Sequence, residues 1–308
     1  FVVFLDFKAI KYCMKFNCTF VFLLLLPFFI EAQVRTVISE TDSLRLYTTH
    51  FSNTGSENVF ATNYKDGLVY ISNNGSKYYK PYYADLTNTI KKIKISRKFT
   101  FGALSIFEKE IYFTGNSNLI DSKDYDHLTI YKGELDNFKV TKIRKLPLCD
   151  TSFDCSDPAI SKNGDFMVIV SNEKGLYHLV KLIRNEKNEW ERAEVIFIAQ
   201  KTFQLLNPTI YDENTLYFAS DYFDGGIHHI RVNYEEGGVE STEIYREKGV
   251  YNIYKIVKVN GVWKLPKKVA GLNSEFDDLG ALFISEKSGY LSTFRYNDTD
   301  NIYYFELD

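Results

Sequence analysis

The sequence has 308 residues, with 37 Lys or Arg and 40 Asp or Glu, which gives a formal net charge of −3. This near balance argues against nucleic acid and against an anionic membrane as the partner. Aromatic residues make up 16% of the chain, chiefly 23 Tyr and 25 Phe. Such a composition is typical of half-buried pleated surfaces and predicts an all-β protein.

The N-terminal segment predicts an export signal. Phe20 to Ile30 is an almost unbroken apolar run of about 11 residues, within the range of a signal peptide and too short to span a bilayer. Ala32 is the small residue that cleavage requires. We expect residues 1–32 to be upstream residues and signal, with translation starting at Met14; the alternative is a buried N-terminal strand or helix. The mature chain, residues 33–308, is expected to be exported without a membrane span, and to be periplasmic or associated with the outer membrane or cell surface.

A short phrase recurs five times in the mature chain. It consists of a small or polar residue, an apolar pair, a polar turn, and three or four apolar residues that close on Ser or Thr with Asn, Asp or Gly. The copies lie at residues 61–73, 102–116, 157–172, 207–221 and 280–292. Repetition at about this spacing predicts an array of small β-units, as in the blades of a propeller.

Each phrase supplies two strands, and two more follow in most units. The third strands are expected at residues 78–86, 127–135, 176–183, 251–259 and 302–307, and the fourth strands at residues 89–95, 138–146, 190–198 and 262–269. Alternation with period two and Asn-Gly or Asp-Gly turns predict antiparallel pairing. We therefore expect a single β-propeller of five four-stranded blades.

Two features of the pattern are irregular. The last unit ends after its third strand, and we predict that residues 34–47 supply the missing outer strand and close the ring. The fourth unit is oversized, because residues 222–249 stand where a simple turn would suffice. We favour a hairpin insertion on one face; a degenerate sixth blade is the alternative.

The clearest phrase, Asn207 to Asp221, is followed by Gly225-Gly226 and by Tyr251-Asn252-Ile253-Tyr254. In this order it resembles the WD40-like (PD40), TolB-type propeller repeats of exported bacterial proteins. Residues 260–278 are similar to the links between blades in propellers of Bacteroidetes cell-envelope proteins. The resemblance implies a rigid disc that offers loops to a partner. No OmpA-like domain lies in this sequence, so the resemblance does not imply peptidoglycan binding.

Cys149 and Cys155 bracket a short polar loop. In an oxidising compartment a disulfide is favoured over two free thiols. A metal site is not expected there, because no His or second Cys pair lies near. Adjacent residues of a strand point to opposite faces, so His228 and His229 are not expected to chelate one metal either. The Asp121–Asp126 loop lacks the spacing of an EF-hand and predicts a solvated turn.

The main functional prediction is an exported, non-catalytic, monomeric module that binds an envelope protein or a glycan without a cofactor. The sequence has no Gly-x-Ser-x-Gly elbow and no phosphate-binding Gly loop at a helix start. Binding is expected on top-face loops, including 150–157 and 221–249. The candidate binding residues are Asp154, Asp157, Asn207, Asp224, His228 and His229.

The alternative is a glycan-active hydrolase or lyase. Such an enzyme needs a pair of carboxylates about 5–10 Å apart, here in the central funnel. Asp157, Asp277 and Asp278 are each expected just before an innermost strand and are the candidates. Asp is also a good turn former at strand entries, and this is the role the sequence favours for all three.

Overall fold

Nearly all of the described chain is β-structure. The computed structural model describes residues 35–52, 55–95, 99–117, 127–148, 153–200, 203–221, 227–235, 238–246, 249–296 and 299–308. Within these residues the helical content is one 3₁₀ turn, Glu173–Gly175, and no helix is long and apolar enough to cross a membrane. The segment Thr36–Asp308 forms one compact unit.

The strands are named in chain order. Two short strands come first: β1 (Val37–Glu40) and β2 (Leu44–Tyr47). Blade 1 contains β3 (Asn58–Tyr64), β4 (Gly67–Ser72), β5 (Lys80–Asp85) and β6 (Ile90–Lys92). Blade 2 contains β7 (Phe99–Phe107), β8 (Glu110–Ser117), β9 (Thr129–Asp136) and β10 (Lys139–Lys145). Blade 3 contains β11 (Cys155–Ile160), β12 (Phe166–Ser171), β13 (His178–Arg184) and β14 (Trp190–Ile198).

The remaining strands complete two further blades and an insertion. Blade 4 contains β15 (Leu205–Asp212), β16 (Thr215–Ser220), β19 (Asn252–Val259), β20 (Val262–Trp263) and β21 (Lys267–Lys268). The insertion contains β17 (Ile227–Glu235) and β18 (Gly238–Arg246). Blade 5 contains β22 (Asp278–Phe283), β23 (Ser288–Thr293) and β24 (Asn301–Leu307).

The blades form a closed ring. Each is an antiparallel sheet, and the innermost strands β3, β7, β11, β15 and β22 neighbour one another in that order, with β22 returning to β3. Five buried apolar clusters accompany them, one at each boundary between successive blades. The prediction of an all-β, five-bladed propeller is confirmed.

The N-terminal strand closes the last blade, as predicted. Strand β2 pairs antiparallel with β24, so that Leu44 lies opposite Leu307 and Leu46 opposite Phe305. Strand β1 then adds to the outer side of β2. Leu44, Leu46 and Phe305 are all buried in the core between blades 4 and 5. The two ends of the chain therefore share one sheet.

The described residues of the oversized fourth unit form a hairpin and do not form a sixth blade. Strands β17 and β18 pair only with each other and form a two-stranded sheet. At the base of the insertion, Ser220 of β16 pairs with Asn252 of β19. Because blade 4 is continuous across that point, the hairpin emerges from the end of the propeller at which the inner strands begin.

Every inner strand contains a bulge that the repeated phrase did not predict. The register against the second strand gains one residue after Val59, Phe101, Ser156, Leu206 and Asp278. Three residues at these bulges have a positive φ: 59° at Phe60, 52° at Asp157 and 43° at Asn207. Asp and Asn tolerate this left-handed region better than other side chains. The bulges turn backbone amides towards the neighbouring blade.

These amides join the blades near the axis. The Phe60 N–H donates to Ser292 Oγ of blade 5 at 3.0 Å, and the Asp157 N–H donates to Thr114 Oγ1 of blade 2 at 2.7 Å. A buried amide without a partner would cost about 1–3 kcal/mol. The hydroxyl residues of the second strands therefore satisfy the donors that the bulges expose.

Closure by β2 can be tested with one substitution. Leu46 is 0% exposed, so Leu46→Ala should remove buried methyl groups and lower the free energy of unfolding by about 2–5 kcal/mol. The neighbouring Arg45 side chain is 42% exposed, so Arg45→Ala should cost less than about 1 kcal/mol. Urea unfolding of both variants gives the comparison. Equal losses would show that β2 does not hold the last blade.

Candidate functional site

The two ends of the central tunnel differ in chemistry. The end at which the inner strands finish opens into a cavity of about 650 Å³. Hydroxyl and apolar residues from all five inner strands line it, among them Thr62, Ser105 and Thr209. Glu108 is the only carboxylate among its described lining residues. This cavity therefore offers no pair of acids among its described lining residues.

Carboxylates gather at the opposite end, where the inner strands begin. We call this end the acidic face and define it by six acids and three tyrosines. Charges of these acids act on one another or on the tyrosines: Asp154, Asp157 and Asp221 on Tyr177, Asp221 and Asp277 on Tyr251, and Glu57 and Asp277 on Asp300. The set consists of Glu57, Asp154, Asp157, Asp221, Asp277, Asp300, Tyr79, Tyr177 and Tyr251.

A repeated turn positions part of the acidic face. The residue before an inner strand donates its N–H to the side chain that follows the second strand of the same blade. This bond joins Glu57 to Asn73 at 3.1 Å, Asp154 to Asn172 at 2.7 Å, and Gln204 to Asp221 at 2.7 Å. The Asn or Asp that closes the phrase is therefore a structural residue in these three blades.

Asp154 and Asp277 also join neighbouring blades. Asp154 Oδ1 accepts the Leu128 N–H at 2.7 Å and lies 3.2 Å from His127 Nδ1. Asp277 Oδ1 accepts the Tyr251 N–H at 2.9 Å. These two acids stabilise the junctions between blades 2 and 3 and between blades 4 and 5.

Asp278 forms a buried ion pair with Arg295. It is 0% exposed, and both of its oxygens lie 3.0 Å from Arg295 Nη2. Asp278 Oδ2 also accepts the Ser274 N–H at 2.8 Å. With both oxygens occupied and no exposure, this side chain cannot reach a substrate in the described structure.

Asp157 lies at the axis. The sequence analysis placed it before an inner strand, but it is the third residue of β11 and stands at the bulge. Its carboxyl accepts the Ser156 hydroxyl at 3.0 Å and the backbone amides of Ala103 and Asn207. Burial outweighs these bonds and raises its pKa to about 6. Asp157 thus links blades 2, 3 and 4 at the floor of the acidic face.

The carboxyl groups of Asp300 and Glu57 have different surroundings. The turn before β24 is held to blade 1 because the Asn58 N–H donates to Asp300 O at 2.8 Å. Burial, followed by the charges of Glu57 and Asp277, raises the pKa of Asp300 to about 6. Glu57 Oε2 accepts the Asn73 amide at 3.0 Å and the Tyr79 hydroxyl. Two carboxylates whose surroundings differ in this way are suited to separate acid and base roles.

The structure separates the three acids that the sequence offered as a catalytic set. Asp277 and Asp157 belong to the acidic face, whereas Asp278 points into the Arg295 pair. Among the binding candidates, Asn207 is buried at the next bulge, and its amide occupies the space beside Gly280. Glu57 and Asp300 carry no repeated signal, and for that reason the sequence analysis missed them.

Several sequence candidates fall outside the described part of the chain. Asp224 and the Asp121–Asp126 loop lie there, and so do the side chains of His228 and His229 in β17. Cys155 is buried and disulfide-bonded; Cys149 lies outside the described residues, so this pairing stays a prediction. Where the structure is described, no three His, Cys, Asp or Glu side chains are grouped to hold a metal ion.

Known structures place this chain among the five-bladed β-propellers. An endo-arabinase from Bacteroides thetaiotaomicron VPI-5482 is 14% identical, with a TM-score of 0.53 over 82% of this chain and 94% of that chain. A thermostable family-43 glycoside hydrolase is 12% identical, with a TM-score of 0.48 over 82% and 89%. TolB from Acinetobacter baumannii is 14% identical, with a TM-score of 0.43 over 79% and 52%. At such identities the likeness establishes the fold alone.

No family model and no curated protein sequence matches the chain. The comparisons nonetheless correct the main functional prediction. The sequence favoured a non-catalytic binding or scaffold module, and that prediction is contradicted, because a solved propeller that the chain matches with a TM-score of 0.53 is an endo-arabinase.

Burial of Asp157 should appear in the pH dependence of stability. Its pKa is about 6 in the folded chain, against a usual 3.8, so folding favours the protonated form. The stabilisation is complete below pH 3.8 and is lost as the pH rises through about 6. Two pKa units correspond to about 3 kcal/mol. Asp157→Asn removes this pH-dependent loss of stability, because the amide does not titrate. We expect Asn to fit the position, since Asn207 occupies the equivalent bulge in blade 4.

We therefore expect the free energy of unfolding of Asp157→Asn, relative to the wild type, to improve by up to about 3 kcal/mol between pH 4 and pH 7. Urea unfolding at intervals of half a pH unit measures this change. Asp42→Asn, at an exposed turn, is the matched control and should show no such trend. If the difference in free energy of unfolding between Asp157→Asn and the wild type does not change with pH, the Asp157 carboxyl has its usual pKa in the folded chain.

Proposed function

We propose that this protein is a glycan-active hydrolase whose catalytic acids lie on the acidic face. The observation that carries the proposal is the pair formed by Asp300 and Glu57 at the mouth of the tunnel. Asp300 is kept partly protonated near neutral pH by burial and by the charges of Glu57 and Asp277. Hydrolysis of a glycosidic bond requires one protonated and one ionised carboxyl group flanking that bond.

The two side chains would divide the chemistry as follows. Asp300 donates its proton to the departing glycosidic oxygen, which its raised pKa allows at mildly acidic pH. On the other side of the scissile bond, the Glu57 carboxylate takes a proton from the water molecule that attacks the anomeric carbon, so that the new bond to water replaces the bond to the departing oxygen. Hydrogen bonds from Asn73 and Tyr79 orient Glu57. Burial, followed by the charges of Glu57 and Asp277, keeps the proton on Asp300.

The surroundings of the pair suit a sugar chain. Tyr79 and Tyr177 are half-buried on the acidic face, and tyrosine combines an apolar ring with a polar tip. Such rings can pack against the apolar face of a sugar while carboxylates receive its hydroxyl groups. An arabinan is a reasonable first substrate, since the arabinase that shares the fold is matched over 94% of its length.

We also propose that the enzyme is exported and works in the envelope of a Bacteroidetes-type bacterium. The apolar run Phe20 to Ile30 and the small residue Ala32 support a signal peptide. The disulfide bond of Cys155 supports an oxidising compartment. The resemblance of the repeated phrase to TolB-type repeats supports the envelope.

The proposal predicts two inactive variants. Asp300→Asn cannot donate the proton, and Glu57→Gln cannot provide the carboxylate, so each should lower the rate of hydrolysis by about 10²–10⁴-fold. For the wild type, kcat should fall as the pH rises through about 6, where Asp300 loses its proton. Reducing-end release from arabinan, xylan, mannan and polygalacturonate gives the measurement.

Two exposed acids at the other end of the propeller provide the controls. Asp42→Asn and Glu213→Gln make the same chemical changes at exposed turns and should retain full activity. Thermal unfolding of all four variants shows whether each is folded. The proposal fails if no glycan of the panel is cleaved, or if folded Asp300→Asn and Glu57→Gln hydrolyse as fast as the controls.

A further inference from the structure

The outer edges of blades 1 and 2 carry a group of unbalanced positive charges. Residues 91–94 and 139–145 contain seven Lys or Arg and no Asp or Glu. All seven side chains belong to exposed residues. We call this group the basic edge; its members are Lys91, Lys92, Lys94, Lys139, Lys142, Arg144 and Lys145.

The two halves of the basic edge form one rigid surface. The Lys94 N–H donates to Phe138 O at 2.7 Å, and the Val140 N–H donates to Lys94 O at 2.8 Å. This short parallel bridge joins the segment after β6 to β10. Two different blades thus present their cations side by side on fixed backbone.

Alternation turns the cations outward. Ile93 and Val140 are buried in the core between blades 1 and 2, so the residues on either side of them face solvent, as the period of two requires. Lys92, Lys94 and Lys139 therefore cannot withdraw into the core. The apolar residues hold the strands, and the basic residues form the outer surface.

Few acids neutralise this charge. Lys142 is paired with Glu134, and this is the only ion pair of the basic edge in the described structure. Lys91 and Lys92 instead lie over the rings of Phe138 and Tyr82, with ammonium-to-centroid distances of 4.9 Å and 5.8 Å. Nearby, burial and then the charge of Lys92 lower the pKa of Lys80. The other six exposed cations of the basic edge are therefore available to bind negative groups of another molecule.

We propose that the basic edge binds an anionic polysaccharide, a chain of sulfated or uronic sugars. This goes beyond the proposed hydrolysis, because the edge lies on the outer strands and shares no residue with the acidic face. Cations spaced along two joined strands match charges repeated along an extended polymer. Such binding would hold the protein on a charged glycan independently of the catalytic acids.

The chemistry of the surface favours a polysaccharide over single-stranded nucleic acid. Nucleic acid without sequence preference is bound by exposed aromatic rings on which bases stack, alongside positive charge. Here the rings beneath Lys91 and Lys92 are those of Phe138, which is half-buried, and Tyr82, which is buried. Without an exposed stacking platform in the described edge, only the charge remains for recognition.

The experiment compares two triple charge reversals. Lys94→Glu, Lys139→Glu and Arg144→Glu alter the basic edge, while Lys187→Glu, Lys264→Glu and Lys287→Glu alter exposed lysines elsewhere. Both variants change the net charge equally. Binding of the wild type and of both variants to heparin and to polygalacturonate is measured by biolayer interferometry at 50–300 mM salt, with neutral dextran as the negative probe.

We expect wild-type binding that weakens with salt, about tenfold or more weaker binding by the basic-edge variant, and a change of less than about threefold for the control. Asp300→Asn should bind as the wild type does, which separates this test from the catalytic proposal. Absence of binding to both anionic polysaccharides, or equal losses in the two variants, overturns the inference. So does preferential binding of oligo(dT) or of phosphatidylglycerol vesicles. Circular dichroism excludes unfolding as the cause.

Discussion

Closure of the ring between blades 5 and 1 is the constraint on which this structure depends. Blade 5 takes its outer strand, β2, from the other end of the chain, and a core containing Phe51, Tyr290 and Ile302 fills the boundary with blade 1. An open ring would leave a sheet edge and two apolar faces in water. Closure also holds Asp300 against blade 1 through the Asn58 amide. The same joint therefore stabilises the fold and assembles the acid pair.

Polar groups at the bulges of the inner strands pair with one another near the axis. A bulge in every inner strand turns amides towards the axis, and Ser292, Thr114 and the Asp157 carboxyl receive some of them. Burying a carboxyl group costs free energy unless it is hydrogen-bonded, and the raised pKa of Asp157 reports the remaining cost. The bulged centre lies between the acidic face and the neutral cavity. The acid cluster therefore lies at one end of the propeller.

Burial and hydrogen bonding divide the acids into two kinds. Asp154, Asp277 and Asp278 accept bonds from backbone amides or from Arg295 and join parts of the propeller. The Glu57 carboxylate accepts hydrogen bonds from the side chains of Asn73 and Tyr79, and with Asp300 it carries the proposed reaction. The net charge of −3 does not show that negative and positive side chains lie in different places. Acids lie together on the acidic face, whereas cations lie together on the outer strands of blades 1 and 2. Overall composition could not show this.

The sequence by itself determined the five blades, the hairpin in residues 222–249 and the closing strand, because alternation, turns and repeats are local signals. It also marked Asp157 and Asp277, yet it placed Asp157 outside its strand and favoured a non-catalytic module. Only the tertiary structure brought Asp300 to Glu57, which lie 243 residues apart along the chain, as do their neighbours Asn301 and Asn58. The bridge at Lys94 is likewise long-range. Ring closure and blade packing create such neighbours, and no local pattern encodes them.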